Sequence, residues 1–320
     1  MPHVLVAGRL HYAGLALLDH APGVTYDYVE EISEDSYAPL VARADALILR
    51  TQPLSAVTVG RASRLRVVSR HGVGYDGIDL PALDRRGITL CVVGNVNAVS
   101  VAEHAMTLIL ACAKHLLQAD RAVRQGQWEW RNRLMAGEVG GRRLLILGYG
   151  RTGRHLATMA AGFGMKIRAY DPYLSTGGKW PAGPVGEVAD LHDGLEWADI
   201  ISVNVPKGDQ PLIGAAELRR VRPGGIIVNT ARGGVVDEAA LATAIVNGHV
   251  AAAGVDVFDP EPPSVHNPLI GLDRVILTPH IAGLTAQAAE RMAVGCVRNV
   301  LDFFAGTLDP TLIVNREFVK

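Results

Sequence analysis

Short apolar runs separated by helix-like stretches recur almost from end to end of the chain. Val4-Leu-Val-Ala7, Ala46-Leu-Ile-Leu49, Leu65-Arg-Val-Val68 and Ile88-Thr-Leu-Cys-Val-Val93 form a first series. Leu144-Leu-Ile-Leu-Gly148, Ile167-Arg-Ala-Tyr170, Ile200-Ile-Ser-Val203, Ile226-Ile-Val-Asn229, Ala252-Ala-Gly-Val255 and Val275-Ile-Leu-Thr278 form a second. Near-continuous apolar strands alternating with helices are what a parallel sheet covered on both faces requires. Two series predict two such sheets, an α/β protein of two doubly wound domains. The length, 320 residues, also exceeds the usual size of one domain.

Between the series, Ser100 followed by Glu103 has the spacing of a capping box, and an apolar run continues to Leu117, so a helix is expected within Asn97–Arg124. Leu284 to Gly306 reads as a long amphipathic helix. No repeat or low-complexity tract interrupts the pattern.

Composition narrows the function classes. Hydrophobic residues make up 49% and charged residues 20%, and the formal net charge is -1, so no basic field is available to recruit nucleic acid. Arginine far outnumbers lysine, a bias attributed to genome composition. The longest apolar stretch, Ala105–Ala113, is too short to span a bilayer, and Met1–Gly8 reads as a first strand and its turn where a signal peptide would have an apolar core. No membrane partner and a cytoplasmic location are expected. Cys91, Cys112 and Cys296 are scattered, which favours buried thiols over disulfides or zinc. Without a His-Glu-x-x-His run or a close cysteine pair, no metal is expected.

Gly148-Tyr-Gly150-Arg151-Thr152-Gly153 follows a strand-like run and precedes a helix-like one, Arg154–Phe163. In that context glycines allow a tight turn and close approach of a pyrophosphate, which meets the free N–H groups and positive end of the helix. Asp171 closes the next strand about 20 residues on, where a carboxylate accepts from ribose hydroxyls and repels a 2′-phosphate. The cofactor expected is NAD, with NADH preferred over NADPH. Arg168 lies on the same strand but away from the turn.

Three reactive side chains follow successive apolar runs: Arg232 in Asn229-Thr230-Ala231-Arg-Gly-Gly-Val-Val-Asp237, Glu261 in Asp256-Val-Phe-Asp-Pro-Glu-Pro262, and His280 in Thr278-Pro-His. Carboxyl ends of parallel strands are where α/β proteins bind ligands. An arginine fork holds a carboxylate and carbonyl, a histidine trades a proton near neutral pH, and a neighbouring carboxylate fixes its tautomer. Such a set suits hydride transfer to a 2-oxo acid. The Gly233-Gly234 pair is expected to leave room for close approach of a ligand.

From about Leu47 to Gly306 these ordered blocks resemble the D-isomer-specific 2-hydroxyacid dehydrogenase family, which includes D-3-phosphoglycerate dehydrogenases, glyoxylate/hydroxypyruvate reductases and D-lactate dehydrogenases. The resemblance implies that Arg232, Glu261 and His280 are the catalytic residues of an NAD-dependent D-2-hydroxyacid dehydrogenase acting on glyoxylate, hydroxypyruvate or 3-phosphoglycerate-class acids. It implies that the final long helix returns to the first domain. A Rossmann NAD-binding domain, 98–283, is then inserted into a discontinuous flavodoxin-like substrate domain, 1–97 plus 284–320, and the two are expected to close on ligand. Asn204, Val205 and Pro206, Thr230 and Ala231, Asp256, His280 and Gly283 correspond to cofactor contacts, with Asp256 on the carboxamide. Asn204 stands where the family often has His or Cys, and Lys207 where it often has Leu. His71-Gly-Val73-Gly74-Tyr-Asp76 resembles the substrate-side glycine loop, whose N–H groups suit a carboxylate, and Arg50 is a further substrate candidate. A homodimer is implied, with Arg121–Leu134, including Trp128 and Trp130, near its interface.

Two other readings share the architecture. Corepressors of the C-terminal-binding-protein type carry the same triad and act through NAD-linked assembly with peptides; the absence of a long tail after the last helix weighs against this NAD-sensing, corepressor-like alternative. Formate dehydrogenases typically pair their histidine with glutamine, and Glu261 departs from that pattern.

Overall fold

In the computed structural model, residues 1–177 and 180–318 are described; the expected end of the first domain at position 320 lies outside them. The chain separates into two compact units, one formed by Met1–Asn97 with the segment from Leu284 onward, the other by Ala98–Gly283.

The first unit is a parallel sheet of β1 (His3–Ala7), β2 (Thr25–Val29), β3 (Ala46–Leu49), β4 (Val67–Arg70) and β5 (Thr89–Cys91), in the order β2-β1-β3-β4-β5. Side chains of β1 alternate faces as a strand must: Leu5 and Ala7 enter one core cluster, Val4 and Val6 the other. The second cluster is closed by Ala286–Ala305, the long helix expected near the end of the chain, through Ala288, Met292, Ala293, Cys296, Val297 and Val300. Thr285 caps this helix by accepting from Ala288 N–H, and Gly306 ends it at φ +74°.

The second unit holds β6 (Arg143–Leu147), β7 (Lys166–Tyr170), β8 (Gly186–Glu187), β9 (Ile200–Val203), β10 (Gly225–Asn229), β11 (Val250–Val255) and β12 (Val275–Leu277). All are parallel, in the order β12-β11-β10-β9-β6-β7-β8. Counted from β6, six of these strands have the 3-2-1-4-5-6 order of a Rossmann sheet, and the first unit has the 2-1-3-4-5 order of flavodoxin. Each sheet therefore reverses its winding once, between β6 and β9 and between β1 and β3, and opens a crevice at the strands' carboxyl ends.

Two expectations about the connecting helix are corrected. It begins at Ala98, so Ser100 lies buried inside its first turn and is not the N-cap. Nor does it run through Leu117: it stops at Lys114, His115 takes a left-handed φ of 50°, and a second helix spans Leu116–Arg124. The first helix is apolar nearly all round because it packs on β10 and β11, where Leu108 sits against Gly254. Cys91, Cys112 and Cys296 are free and buried. Among the described residues no helix is long and apolar enough to cross a membrane, and no His/Cys/Asp/Glu group has the arrangement of a metal site.

Candidate active site

The glycine turn lies at the winding reversal of the larger sheet. Leu147 ends β6, Gly148 turns at φ +90°, and Gly150 opens the helix Arg151–Gly162, three residues earlier than the sequence pattern placed it. Among the described residues no side chain caps this helix, so the N–H groups of Arg151, Thr152 and Gly153 are left at its N-terminal end without an intrahelical partner. A Cβ on Gly150 would meet nothing within 4 Å, whereas one on Gly153 would fall 2.2 Å from Gly148 O. The first glycine keeps the approach open, and the second lets the helix sit tightly on the turn.

Asp171 follows β7 and is already occupied in part. Its Oδ2 accepts from Tyr149 N–H at 2.9 Å, and its Oδ1 accepts from the amides of Tyr173 and Leu174, capping a short helix. A carboxylate offers about four acceptor positions, so it braces the glycine turn and keeps some capacity for a ribose hydroxyl. Arg168 is turned away onto Trp197, its guanidinium 4.6 Å from the indole centroid.

Two orphaned atoms mark the neighbouring strand ends. Among the described residues Asn204 Oδ1 and Thr230 Oγ1 are buried without a hydrogen-bond partner, while Asn204 donates through Nδ2 to Ser202 O and Oγ. Buried polar atoms are rarely left so. Val205 packs on the sheet core and Pro206 is exposed. An open glycine turn, an uncapped helix and unpaired acceptor and hydroxyl groups after adjacent strands fit a dinucleotide.

Arg232 is set by a buried asparagine. At the end of β10, Asn229 donates from Nδ2 to Arg232 O at 2.9 Å and accepts at Oδ1 from Ala231 N–H at 3.0 Å, closing the turn that carries the guanidinium. Arg232 Nη1 donates to Ala231 O at 2.7 Å. The Gly233-Gly234 pair has a packing purpose within the unit. A Cβ on Gly233 would lie 1.8 Å from Phe258 O, and one on Gly234, at φ +78°, would lie 2.8 Å from Asp259 Oδ2. These glycines let the arginine turn pack against the Phe258–Glu261 segment of the same unit. Lys207, exposed to solvent, ion-pairs with Asp259 at 2.5 Å at the edge of this packing.

Glu261 and His280 meet directly. His280 Nδ1–H donates to Glu261 Oε2 at 2.7 Å, and Phe258 N–H donates to Glu261 Oε1 at 3.0 Å. Because the carboxylate can only accept, the proton on Nδ1 is fixed and Nε2 is left as the exchanging atom. Burial pushes the Glu261 carboxyl up. The His280 hydrogen bond, the Phe258 amide and the charges of His280 and Arg232 outweigh that and hold it below the usual carboxylate value. His280 itself is half-exposed and sits at a left-handed φ of 52°.

The backbone beside His280 is pinned by Asp256. Asp256 has no exposed surface. Its Oδ1 accepts from Thr278 Oγ1 at 2.5 Å and Ile281 N–H at 3.0 Å, and its Oδ2 from Ala282 N–H at 2.9 Å. Gly283 follows directly, partly buried. Sequence reasoning missed this network, together with His104, whose Nε2 lies 3.0 Å from Thr278 Oγ1 across 174 positions of chain.

In the smaller unit, Arg50 follows β3 and lines a cavity of about 220 Å³ with Arg9, Leu10, His11, His71, Leu284 and Ala289. His71 is buried, and among the described residues its Nε2 has no partner of good hydrogen-bond geometry; burial, then the charges of Arg50 and Arg70, push its pKa down to about 4. Val73 is exposed and Gly74 partly so.

Residues 106–282 match the family profile of the D-isomer specific 2-hydroxyacid dehydrogenase NAD binding domain. The chain is 39% identical over 328 aligned positions to a glyoxylate reductase of Korarchaeum cryptofilum, covering 100% of this chain and 97% of that protein. It is 37% identical over 288 positions to the D-3-phosphoglycerate dehydrogenase of Archaeoglobus fulgidus, covering 89% of this chain but 54% of that protein. The chain thus spans little more than half the length of that relative. The crystal structure of an NADPH-dependent glyoxylate/hydroxypyruvate reductase from Sinorhizobium meliloti in complex with citrate superposes with a TM-score of 0.85, at 27% identity and 98% coverage of both chains. With the site geometry, the sheet orders and these similarities together, the chain belongs to the D-isomer specific 2-hydroxyacid dehydrogenase family, and residues 106–282 are its NAD binding domain.

Proposed function

We propose that the protein is an NAD-dependent oxidoreductase that interconverts a small 2-oxo acid and its D-2-hydroxy acid. The observation that carries this reading is the His280–Glu261 pair, 2.7 Å apart, with the charge of Arg232 acting on the same carboxylate, in the unit that carries the open glycine turn. Bound NAD(H) supplies the hydride donor or acceptor. Gly148, Gly150, Arg151, Thr152 and Gly153 receive its pyrophosphate, Asp171 its adenosine ribose, and the unpaired atoms of Asn204 and Thr230, beside Val205, Pro206, Ala231 and Gly283, its nicotinamide half. Arg232 binds the substrate carboxylate and carbonyl through a planar fork. His280 Nε2 gives its proton to the nascent alkoxide and takes it back in the reverse direction, while Glu261 fixes the ring and offsets the imidazolium charge. Arg50, Val73 and Gly74 are assigned to the substrate, the basic lining around Arg50 favouring acids.

A panel of glyoxylate, hydroxypyruvate and phosphorylated three-carbon oxo acids, assayed by NADH oxidation, tests the assignment. Turnover on at least one is expected. Negligible turnover on all of them, with strong NADH-dependent capture of peptides, would reverse it in favour of a corepressor-like role.

Preference for NADH over NADPH rests on the Asp171 charge. The ratio of kcat/KM for the two cofactors is expected to favour NADH, and Asp171→Asn, which removes the charge and keeps one capping oxygen, should narrow it. Equal use of both by the unaltered protein would refute the preference, which the NADPH-dependent Sinorhizobium relative makes a real contest.

The homodimer is assigned to the segment around Arg121–Leu134, where Val123, Trp128 and Leu134 are exposed, next to exposed Leu116 and Leu117. Light scattering should give twice the chain mass, and Trp128→Glu should shift it toward the monomer. Three free, buried thiols suit a reducing, cytoplasmic setting.

A further inference from the structure

A fully buried carboxylate needs a reason to remain where it is. Asp256 has no exposed surface, and among the described residues the basic side chain recorded within ion-pair distance of it is His104, its Nε2 3.6 Å from Oδ1. Between them stands Thr278, whose hydroxyl has one hydrogen. That hydrogen goes to Asp256 Oδ1, 2.5 Å away, because a carboxylate has none to give. Thr278 Oγ1 must then accept from His104, 3.0 Å away, so the His104 ring carries its hydrogen on Nε2. The chain of donors runs one way, from His104 through Thr278 to Asp256.

Everything downstream of that chain bears on His280. Asp256 receives the amides of Ile281 and Ala282 on its carboxylate and the amide of His280 on its carbonyl oxygen at 2.8 Å. Thr278 and Ile281 bracket a residue at φ 52°, a conformation that a side chain with a Cβ adopts only when its surroundings impose it. We propose that His104 is a positioning residue for His280: by donating to Thr278 from the rigid helix Ala98–Lys114, it locks the Thr278 hydroxyl onto Asp256 and so fixes the left-handed turn that presents the histidine to Glu261. The proposal rests on the reading of His280 as the acid/base group. It adds a residue that no local motif points to and that acts through Thr278 and Asp256.

Glutamine and leucine at position 104 separate the hydrogen bond from the packing, because the glutamine amide nitrogen can stand where Nε2 stands and leucine offers no donor. The measurements are steady-state kinetics and amide hydrogen exchange of the peptide containing residues 278–283, with His280→Asn as control. His104→Leu should lower kcat about tenfold, since small displacements of a catalytic group are costly, with KM for NADH nearly unchanged and faster exchange at Ile281 and Ala282. His104→Gln should restore most of the rate and the protection, and Thr278→Val should reproduce the leucine variant without adding to it in the double variant. Unchanged kcat and exchange in His104→Leu, or equal losses in the leucine and glutamine variants, would overturn the proposal. Near-normal turnover in His280→Asn would instead overturn the acid/base reading, while the exchange measurement would still decide whether His104 holds the turn. If His104→Leu does not fold, the comparison of Thr278→Val with Thr278→Ser decides, the serine keeping the donor chain.

Discussion

Replacing His280 with asparagine should lower kcat about 10²–10⁴-fold, the usual contribution of a positioned proton donor, with a much smaller change in KM. Asparagine can still donate to Glu261 from a position near Nδ1, so the loop stays held; what is lost is the exchanging Nε2. Glu261→Gln isolates the other half of the pair. In the unaltered protein the depressed Glu261 carboxyl stays ionised through neutral pH and into the acid range, so the charge that favours imidazolium is present wherever the enzyme works. Removing that charge makes the ring give up its proton more easily. The fall in oxo-acid reduction with rising pH should therefore begin at lower pH in Glu261→Gln, whereas oxidation of the hydroxy acid, which needs the unprotonated ring, should extend to lower pH. Pre-steady-state and steady-state pH profiles in both directions check this. An unmoved basic limb, or turnover close to normal in His280→Asn, would mean that the acid/base group lies elsewhere.

What the sequence makes legible follows from burial. The four-residue apolar runs become strands because parallel strands covered on both faces have no polar side, and the run Ala46–Leu49 is buried throughout. β2, Thr25–Val29, escapes such reading: it is an edge strand, mostly half-buried, and its Thr-Tyr-Asp-Tyr-Val sequence has no apolar run. The Ser100/Glu103 spacing misleads because helix packing against β10 and β11 recruits the two residues before it, and tertiary burial outweighs a local cap. The site divides along the same line. Arg232, Glu261 and His280 stand in short runs with marked composition, and the structure brings Glu261 and His280 to 2.7 Å. Asp256 also stood out, but its partners did not. Its hydrogen bonds to Thr278, Ile281 and Ala282 span more than 20 positions, and the link from His104 spans 174, distances at which one sequence carries no register.

Gly233→Ala should be nearly as damaging as loss of a reacting group, although Gly233 has no chemistry of its own. The added Cβ would lie 1.8 Å from Phe258 O and 2.0 Å from Phe258 C, far inside any van der Waals contact, and both are backbone atoms that cannot rotate away. Either the turn carrying Arg232 or the segment carrying Glu261 must move by more than an ångström. Asn229 clamps the first by two hydrogen bonds, and the Lys207–Asp259 ion pair and the bond from Asp259 N–H to Glu238 restrain the second. Overpacking of this kind costs about 1–3 kcal/mol, and a displacement of about 1 Å at a reacting pair costs roughly 10²-fold in rate. The expected result is a folded protein with a lowered melting temperature, NADH binding close to normal, and kcat/KM for the oxo acid reduced about 100-fold. Gly150→Ala is the informative comparison: open space surrounds its Cβ position, so the protein should keep its stability while cofactor affinity falls. Calorimetry and NADH titration separate the two outcomes. If Gly233→Ala retained full kcat/KM, the tight stacking of the arginine turn on the Phe258–Glu261 segment would not be what holds Arg232 and Glu261 in working register.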